Sequence, residues 1–259
     1  MRKFLQIFLI LTSLGIMTSC NQSLEGNGKV VTVNKEQTEH FTQLNIQGSY
    51  QVTLVQGSAY NVQLKMDENL IDNTEIKLSG KELEIKEKAL VEKKTQYELV
   101  ITVPDLAKIT LDRNVNLTIN QPFVATDLKI ILAGNTKFNG SIKTKNIEIA
   151  TAENAEIDLF GEAESLEITA KGNSNVNVFD FQANTVETDA SDNANLQVYP
   201  IEKLKGSAED NATVKCREGN FDKDDYQTNG KAEVITISEK VKEIPTDGDG
   251  TETEETTQP

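Results

Sequence analysis

From residue 107 to 216 apolar and polar positions alternate with a period of two, and the alternation restarts about every twenty residues. An asparagine marks each restart: NVNLTI from Asn114, NTKFNG from Asn135, NAEIDL from Asn154, NSNVNV from Asn173, NANLQV from Asn193 and NATVKC from Asn211, at steps of 21, 19, 19, 20 and 18 residues. A fixed period of this size is the mark of a stacked repeat architecture. A second alternating stretch precedes each asparagine: AKITL from Ala107, LKIIL from Leu128, IEIAT from Ile147, LEITA from Leu166, VETDA from Val186 and LKGSA from Leu204. Its apolar residues fall into three columns. The first is Ala107, Leu128, Ile147, Leu166, Val186 and Leu204; the second runs from Ile109 to Gly206 and the third from Leu111 to Ala208. Lys129, Glu148, Glu167 and Glu187 lie between them, so the columns belong to one strand face and the charges to the other. After the asparagine, Leu117, Phe138, Ile157, Val176, Leu196 and Val214 belong to the same inner face.

Two short strands joined at an asparagine corner form most of one coil, and the remaining residues return the chain, often with an aromatic: Phe123, Phe160, Phe179 or Tyr199. One coil cannot bury its inner face alone, but stacked coils make a continuous core. The pattern therefore predicts an all-β protein, a right-handed parallel β-helix or solenoid of about six coils. Asparagine tolerates left-handed backbone and bonds its own turn, and stacked amides form ladders. Asn114, Asn135, Asn154, Asn173, Asn193 and Asn211 are accordingly assigned a corner-ladder role in preference to ligand contact.

Residues 30–104 are also β-rich but of a different style, with alternating stretches such as LNIQGSYQVTLVQG and a hairpin turn at Ser79-Gly80. This region is expected to pack on the stack or to continue it. The run FTQLNIQGSYQVTLVQGSAYNVQLKMDENLID resembles the opening of the "putative autotransporter adhesin, head GIN" family: a strand, Gly48, a strand, Gln56-Gly57, a strand and an NLI stretch. Family members repeat serine-glycine turns about every twenty residues. Here the residues before the asparagines are Arg113, Gly134, Glu153, Gly172, Asp192 and Asp210, so only two keep glycine. The resemblance spans about 30–237, brings no catalytic motif and implies adhesion.

Residues 1–19 read as a lipoprotein signal peptide: Arg2 and Lys3, then the apolar run FLQIFLILTSLGIM, ending in MTSC. That ending resembles a bacterial lipobox, which implies diacylglycerylation of Cys20 after the leader is cut; an ordinary secretory signal with an incidental cysteine is the alternative. Acyl chains would hold the protein to a membrane. Residues 20–29 read as a Gly/Asn/Ser tether. VITI from Val234 reads as a last strand closing the stack. Residues 241–259, which hold six acids and no base from 243 on, read as a disordered acidic tail.

Net charge is −15, and because six acids lie in 243–259 the remainder still carries −9, which argues against nucleic acid and against electrostatic docking on anionic lipid. Tryptophan is absent and aromatics are 5% of residues, which weighs against a strong preformed sugar site. Cys216 occupies an inner position and reads as a small hydrophobe. His40 is the single histidine, too little for a zinc site. Glu156 and Asp158 face outward two residues apart, the minimum for an acid/base pair on a β-helix, although a solvated solenoid face accounts for them equally. The leading expectation is a lipid-anchored envelope protein, in the outer membrane, with a non-catalytic binding or adhesion role toward a glycan or a protein. No catalytic residue, metal or cofactor is assigned. The alternatives are a structural or sensing envelope protein whose solenoid end stacks on a partner, and a carbohydrate-active enzyme.

Overall fold

The computed structural model describes residues 23–36 and 39–237. Cys20, residues 1–19, expected to be a signal peptide, and residues 241–259, expected to be a tail, lie outside them.

Strand alternation builds two stacked faces of a solenoid of about six turns. On the first face the order is Glu82–Glu87, Gln43–Gly48, Lys108–Arg113, Asp127–Leu132 and Asn146–Thr151, followed by the second halves of the long strands Glu156–Ala170, Asn175–Ala190 and Asn195–Ala208, then Tyr226–Thr228. On the second face it is Tyr97–Val103, Gln51–Gln56, Asn116–Val124 and Lys137–Lys143, the first halves of the same long strands, Thr213–Arg217 and Glu233–Ile237. All of these pairings are parallel, with registers that place like positions of successive repeats on top of each other, as in Ile109↔Ile130 and Ile149↔Ile168.

The inner columns make one continuous core from Phe41 to Cys216. Ile109, Ile130, Ile149 and Ile168 are fully buried, and Thr188 takes the next place. One member of the first column departs from expectation. Ala107 is exposed, and the neighbouring Leu106 is buried instead, because the chain enters this coil from a loop and offers the larger side chain to the core.

The N-terminal region continues the stack. Residues 43–56 form a full coil whose corner holds Gly48 and Ser49 where later coils have Arg113 and Asn114. The chain then leaves this coil, makes antiparallel strands and a short 3-10 helix, Glu68–Asn73, and returns in 82–103 to form the layer on the other side of it. Val30–Glu36, Asn61–Asp67 and Thr74–Ser79 pair antiparallel below that layer and close this end. Residues 104/105 therefore mark a change in connectivity within one continuous stack.

Residues 24–28, expected to be a loose tether, are tied down. Leu24–Glu25 pairs with Val91–Lys93. The fully buried Asp67 accepts hydrogen bonds from the amides of Gly28 (2.8 Å) and Thr95 (2.7 Å). Gly26 packs so closely on Asp67 that a Cβ would lie 2.4 Å from its carboxylate. Burial alone would raise the Asp67 carboxyl, but the Thr95, Gly28 and Gln96 amides outweigh it and hold it below the usual range.

Candidate functional site

The corner is the most regular feature of the molecule. Asn135 Nδ2 donates to Asn114 Oδ1 (3.3 Å), Asn154 to Asn135 (3.0 Å), Asn173 to Asn154 (3.3 Å), Asn193 to Asn173 (3.0 Å) and Asn211 to Asn193 (3.1 Å). The left-handed residue, however, is the one before each asparagine. Arg113, Gly134, Glu153, Gly172, Asp192 and Asp210 have φ of 73°, 74°, 60°, 73°, 61° and 60°. Asparagine's tolerance of left-handed backbone is thus not what places it here; its stacking amide is. Two non-glycine residues in the strained position obtain compensation. Asp192 Oδ2 accepts from the Gly172 amide (2.9 Å) and Asp210 Oδ2 from the Asp192 amide (3.3 Å), each reaching back one coil. The next corner carries Gly230 and Lys231, so the amide ladder stops at Asn211.

Beyond the corner the second face turns its alternate residues outward. Parallel register aligns Asn116, Lys137, Glu156, Asn175, Asn195 and Thr213 in one column and Thr118, Asn139, Asp158, Asn177, Gln197 and Lys215 in the next. A groove of about 430 Å³ runs over Asn116, Asn139, Asp158, Asn175 and Asn177. Side chains bridge the coils: Lys137 to Glu156 (2.6 Å), Asn177 Nδ2 to Asp158 Oδ1 (3.0 Å) and Asn195 Nδ2 to Asn175 Oδ1 (3.0 Å). Glu156 and Asp158 each already engage a neighbouring coil. Burial raises the Asp158 carboxyl, Asp180 adds to this, and the Asn177 amide opposes both.

Six residues after each asparagine stand Asn120, Ser141, Phe160, Phe179, Tyr199 and Arg217, and here the register shifts, so that Phe160 lies beside Asp180 and Tyr199 beside Gln182. Phe160, Phe179 and Tyr199 thus stand where each strand leaves the polar face for the return segment, whereas Phe123 is fully buried. Phe160 is 40% exposed. The Arg217 guanidinium lies 4.6 Å from the centroids of both Phe179 and Tyr199, and its Nη2 donates to Asp180 Oδ1 (2.9 Å). This platform is legible in the sequence as an offset of six from the asparagine; counting aromatics by composition hides it.

The other candidates are placed plainly. His40 stacks on Tyr60, ring centroids 5.1 Å apart. Cys216 is buried, which pushes its thiol up to about 11 against a smaller pull from Lys223. Among the described residues no group of three or more histidines, cysteines or carboxylates is arranged to hold a metal ion.

The fold has solved counterparts. A protein described as a "putative adhesin" from Bacteroides fragilis superposes with TM-score 0.75 at 14% identity, covering 83% of this chain and all of that one. A "putative lipid binding protein" from Parabacteroides distasonis gives 0.68 at 17%, with 83% and 100% covered. A "putative adhesin" from Parabacteroides merdae gives 0.67 at 20%, with 83% and 99% covered. At such identities the likeness establishes the fold alone. No curated protein matches the sequence. Residues 40–218 match the family model described as "Putative auto-transporter adhesin, head GIN domain", a span that takes in the corner ladder and the aromatic-edged face, and the chain belongs to that family.

Proposed function

We propose that this is a lipid-anchored envelope protein, held through an acylated Cys20, that binds glycans on the outward second face without transforming them. One observation carries the reading: two columns of amides, hydroxyls and carboxylates line a groove on a parallel stack, and the exposed Phe160 follows Asp158 by two residues on one of its strands. Sugars offer hydroxyls that amides and carboxylates hydrogen-bond, and C–H faces that aromatic rings cover. Coils about 4.8 Å apart repeat the polar partners along the groove, which suits an extended chain of residues better than a single sugar. The family's adhesin description is consistent with this reading. Wild-type chain applied to a glycan array should show saturable binding to a subset of polysaccharides. Phe160→Ser combined with Asn177→Ala should remove it while leaving the melting temperature within about 2 °C. Array binding that survives both changes, or wild-type chain that binds no glycan but adheres to cells, would move the site off this face.

A second reading, assembly through the solenoid end, has one observation in its favour. Glu233–Ile237 pairs with Thr213–Arg217 on one side only among the described residues, and its Ile235 is 39% exposed. Natural proteins usually blunt such an edge with charge, proline or a cover, and EVITI has no proline and one charge, Glu233.

A further inference from the structure

We infer that the capped end of the solenoid, at the corner carrying Leu24 and Leu90, rests on the lipid surface, so that the opposite end stands away from it. This rests on the proposed acyl anchor at Cys20.

Three observations carry it. First, the chain is fixed to the body almost at once after Cys20. Leu24 N donates to Leu90 O (2.8 Å), Gly26 N donates to Lys93 O (2.8 Å), and the Leu24–Glu25 strand is paired with Val91–Lys93. Four residues of chain reach at most about 14 Å, so acyl chains on Cys20 would bring this corner to the headgroups. Second, Leu90 is 56% exposed, the largest exposure among the large apolar side chains described, and it sits at the tip of that same loop. The chain elsewhere has ample core to bury it. A solvent-facing leucine beside an anchor gains by entering the acyl–headgroup boundary. Third, residues 88–94, KALVEKK, hold three lysines and one glutamate in a chain of net charge −15. Lys93 pairs with Glu25 (2.8 Å), Lys94 lies over the Tyr97 ring (5.0 Å) within reach of the Glu87 charge, and Lys88 donates to the carbonyl of Asp72 (2.7 Å), so this corner is balanced in charge rather than acidic. A corner whose acids are matched by lysines approaches lipid headgroups without the repulsion that the rest of this acidic chain would meet.

The geometry then orients the molecule. Eight parallel pairings separate Tyr97–Val103 from Glu233–Ile237, roughly 40 Å at about 4.8 Å per step. The open terminal coil is held well beyond the headgroups, and the polar second face rises between the two ends.

The absence of tryptophan makes the test direct. Full chain, produced in a bacterium that acylates lipoproteins, is reconstituted into phosphatidylcholine vesicles with brominated acyl chains, once as Leu90→Trp and once as Ile235→Trp. Both positions are exposed, so both variants keep the fold, which far-UV circular dichroism checks. Leu90→Trp should be blue-shifted and quenched several-fold by bromolipid; Ile235→Trp should be unchanged. The Cys20→Ser chain carrying Leu90→Trp controls for collisions from solution and should show no quenching. If the chain floats with the vesicles but Leu90→Trp is no more quenched than Ile235→Trp, the orientation is wrong and the anchor stands. If the full chain does not float at all, the anchor reading fails and the orientation falls with it.

Discussion

Asn154 sits in the middle of the ladder, where it both donates to Asn135 (3.0 Å) and accepts from Asn173 (3.3 Å). Asn114, at the end, only accepts, from Asn135 at 3.3 Å. Asn154→Ala therefore removes two side-chain hydrogen bonds and Asn114→Ala one. A net hydrogen bond contributes about 0.5–1.5 kcal/mol, and these amides are exposed, so the lower half of that range applies. Asn154→Ala should cost about 1–1.5 kcal/mol and Asn114→Ala about 0.5 kcal/mol. Urea unfolding followed by circular dichroism resolves that difference if the slope is unchanged. The double variant with Asn173→Ala adds a sharper criterion. Asn154 and Asn173 share a bond, so their losses should be less than additive, whereas Asn114→Ala and Asn193→Ala, which share none, should add. Equal costs at Asn154 and Asn114, together with additivity for the adjacent pair, would refute an energetic role for the ladder and leave the asparagines as mere turn residues.

Ile168 is fully buried, and Ile168→Asp should cost several kcal/mol by burying an unpaired carboxylate, seen as loss of cooperative melting. The adjacent Glu167 lies in register between Glu148 and Glu187, so Glu167→Lys should be neutral or stabilising by up to about 0.5 kcal/mol in the same melt. Glu153→Gly should stabilise by roughly 0.5–1 kcal/mol in urea unfolding, because left-handed backbone at φ 60° costs a non-glycine residue more than glycine's extra unfolded entropy. Asp67 has a folded carboxyl held below its unfolded value by the Thr95 amide and hydroxyl and by the Gly28 and Gln96 amides. The stability it provides is therefore complete above about pH 4 and lost as pH falls through the folded value. Wild type should exceed Asp67→Asn most at neutral pH and converge with it in acid, read from melting temperature against pH.

How much of this was open to sequence reading follows from which interactions are local. The period and the inner columns are legible because strand alternation is a two-residue rule and stacking repeats it; Ile109, Ile130, Ile149 and Ile168 need no knowledge of the rest of the chain. The left-handed position is legible only in part. Gly134 and Gly172 announce it, but Arg113 and Glu153 do not, and Asp192 and Asp210 are tolerated there through bonds to the coil below that exist only after stacking. The layer order at the capped end is hidden for the same reason. Residues 82–103 lie next to 43–56, and 43–56 next to 108–124, a skip that no local pattern encodes. Asp67 reads as one more surface acid until Gly26, Gly28 and Thr95 close over it from two distant segments.

The ladder and the aromatic-edged face occupy the same strands, and that shared location bears on how binding would work. Asn154, Asn173 and Asn193 bond at the start of the strands whose outward residues are Asp158, Asn177 and Gln197 and whose sixth residues are Phe160, Phe179 and Tyr199. At the far edge Arg217 spans two coils by covering Phe179 and Tyr199 while holding Asp180. The strands are thus fastened at the corner by amides, and those carrying Phe179 and Tyr199 also at the opposite edge by the guanidinium. A weak ligand gains affinity when its partners are already ordered, because less side-chain entropy is lost on contact. Solenoid coils contact only their neighbours, so fastening both edges makes the spacing of the groups they present a property of the backbone rather than of the ligand. Arg217→Ala then separates fastening from contact. It should weaken glycan binding by freeing Phe179 and Tyr199 while leaving Phe160, whose ring Arg217 does not cover, available as before. If Arg217→Ala strengthens binding instead, the guanidinium is a lid over the rings, and the free platform is the ligand surface.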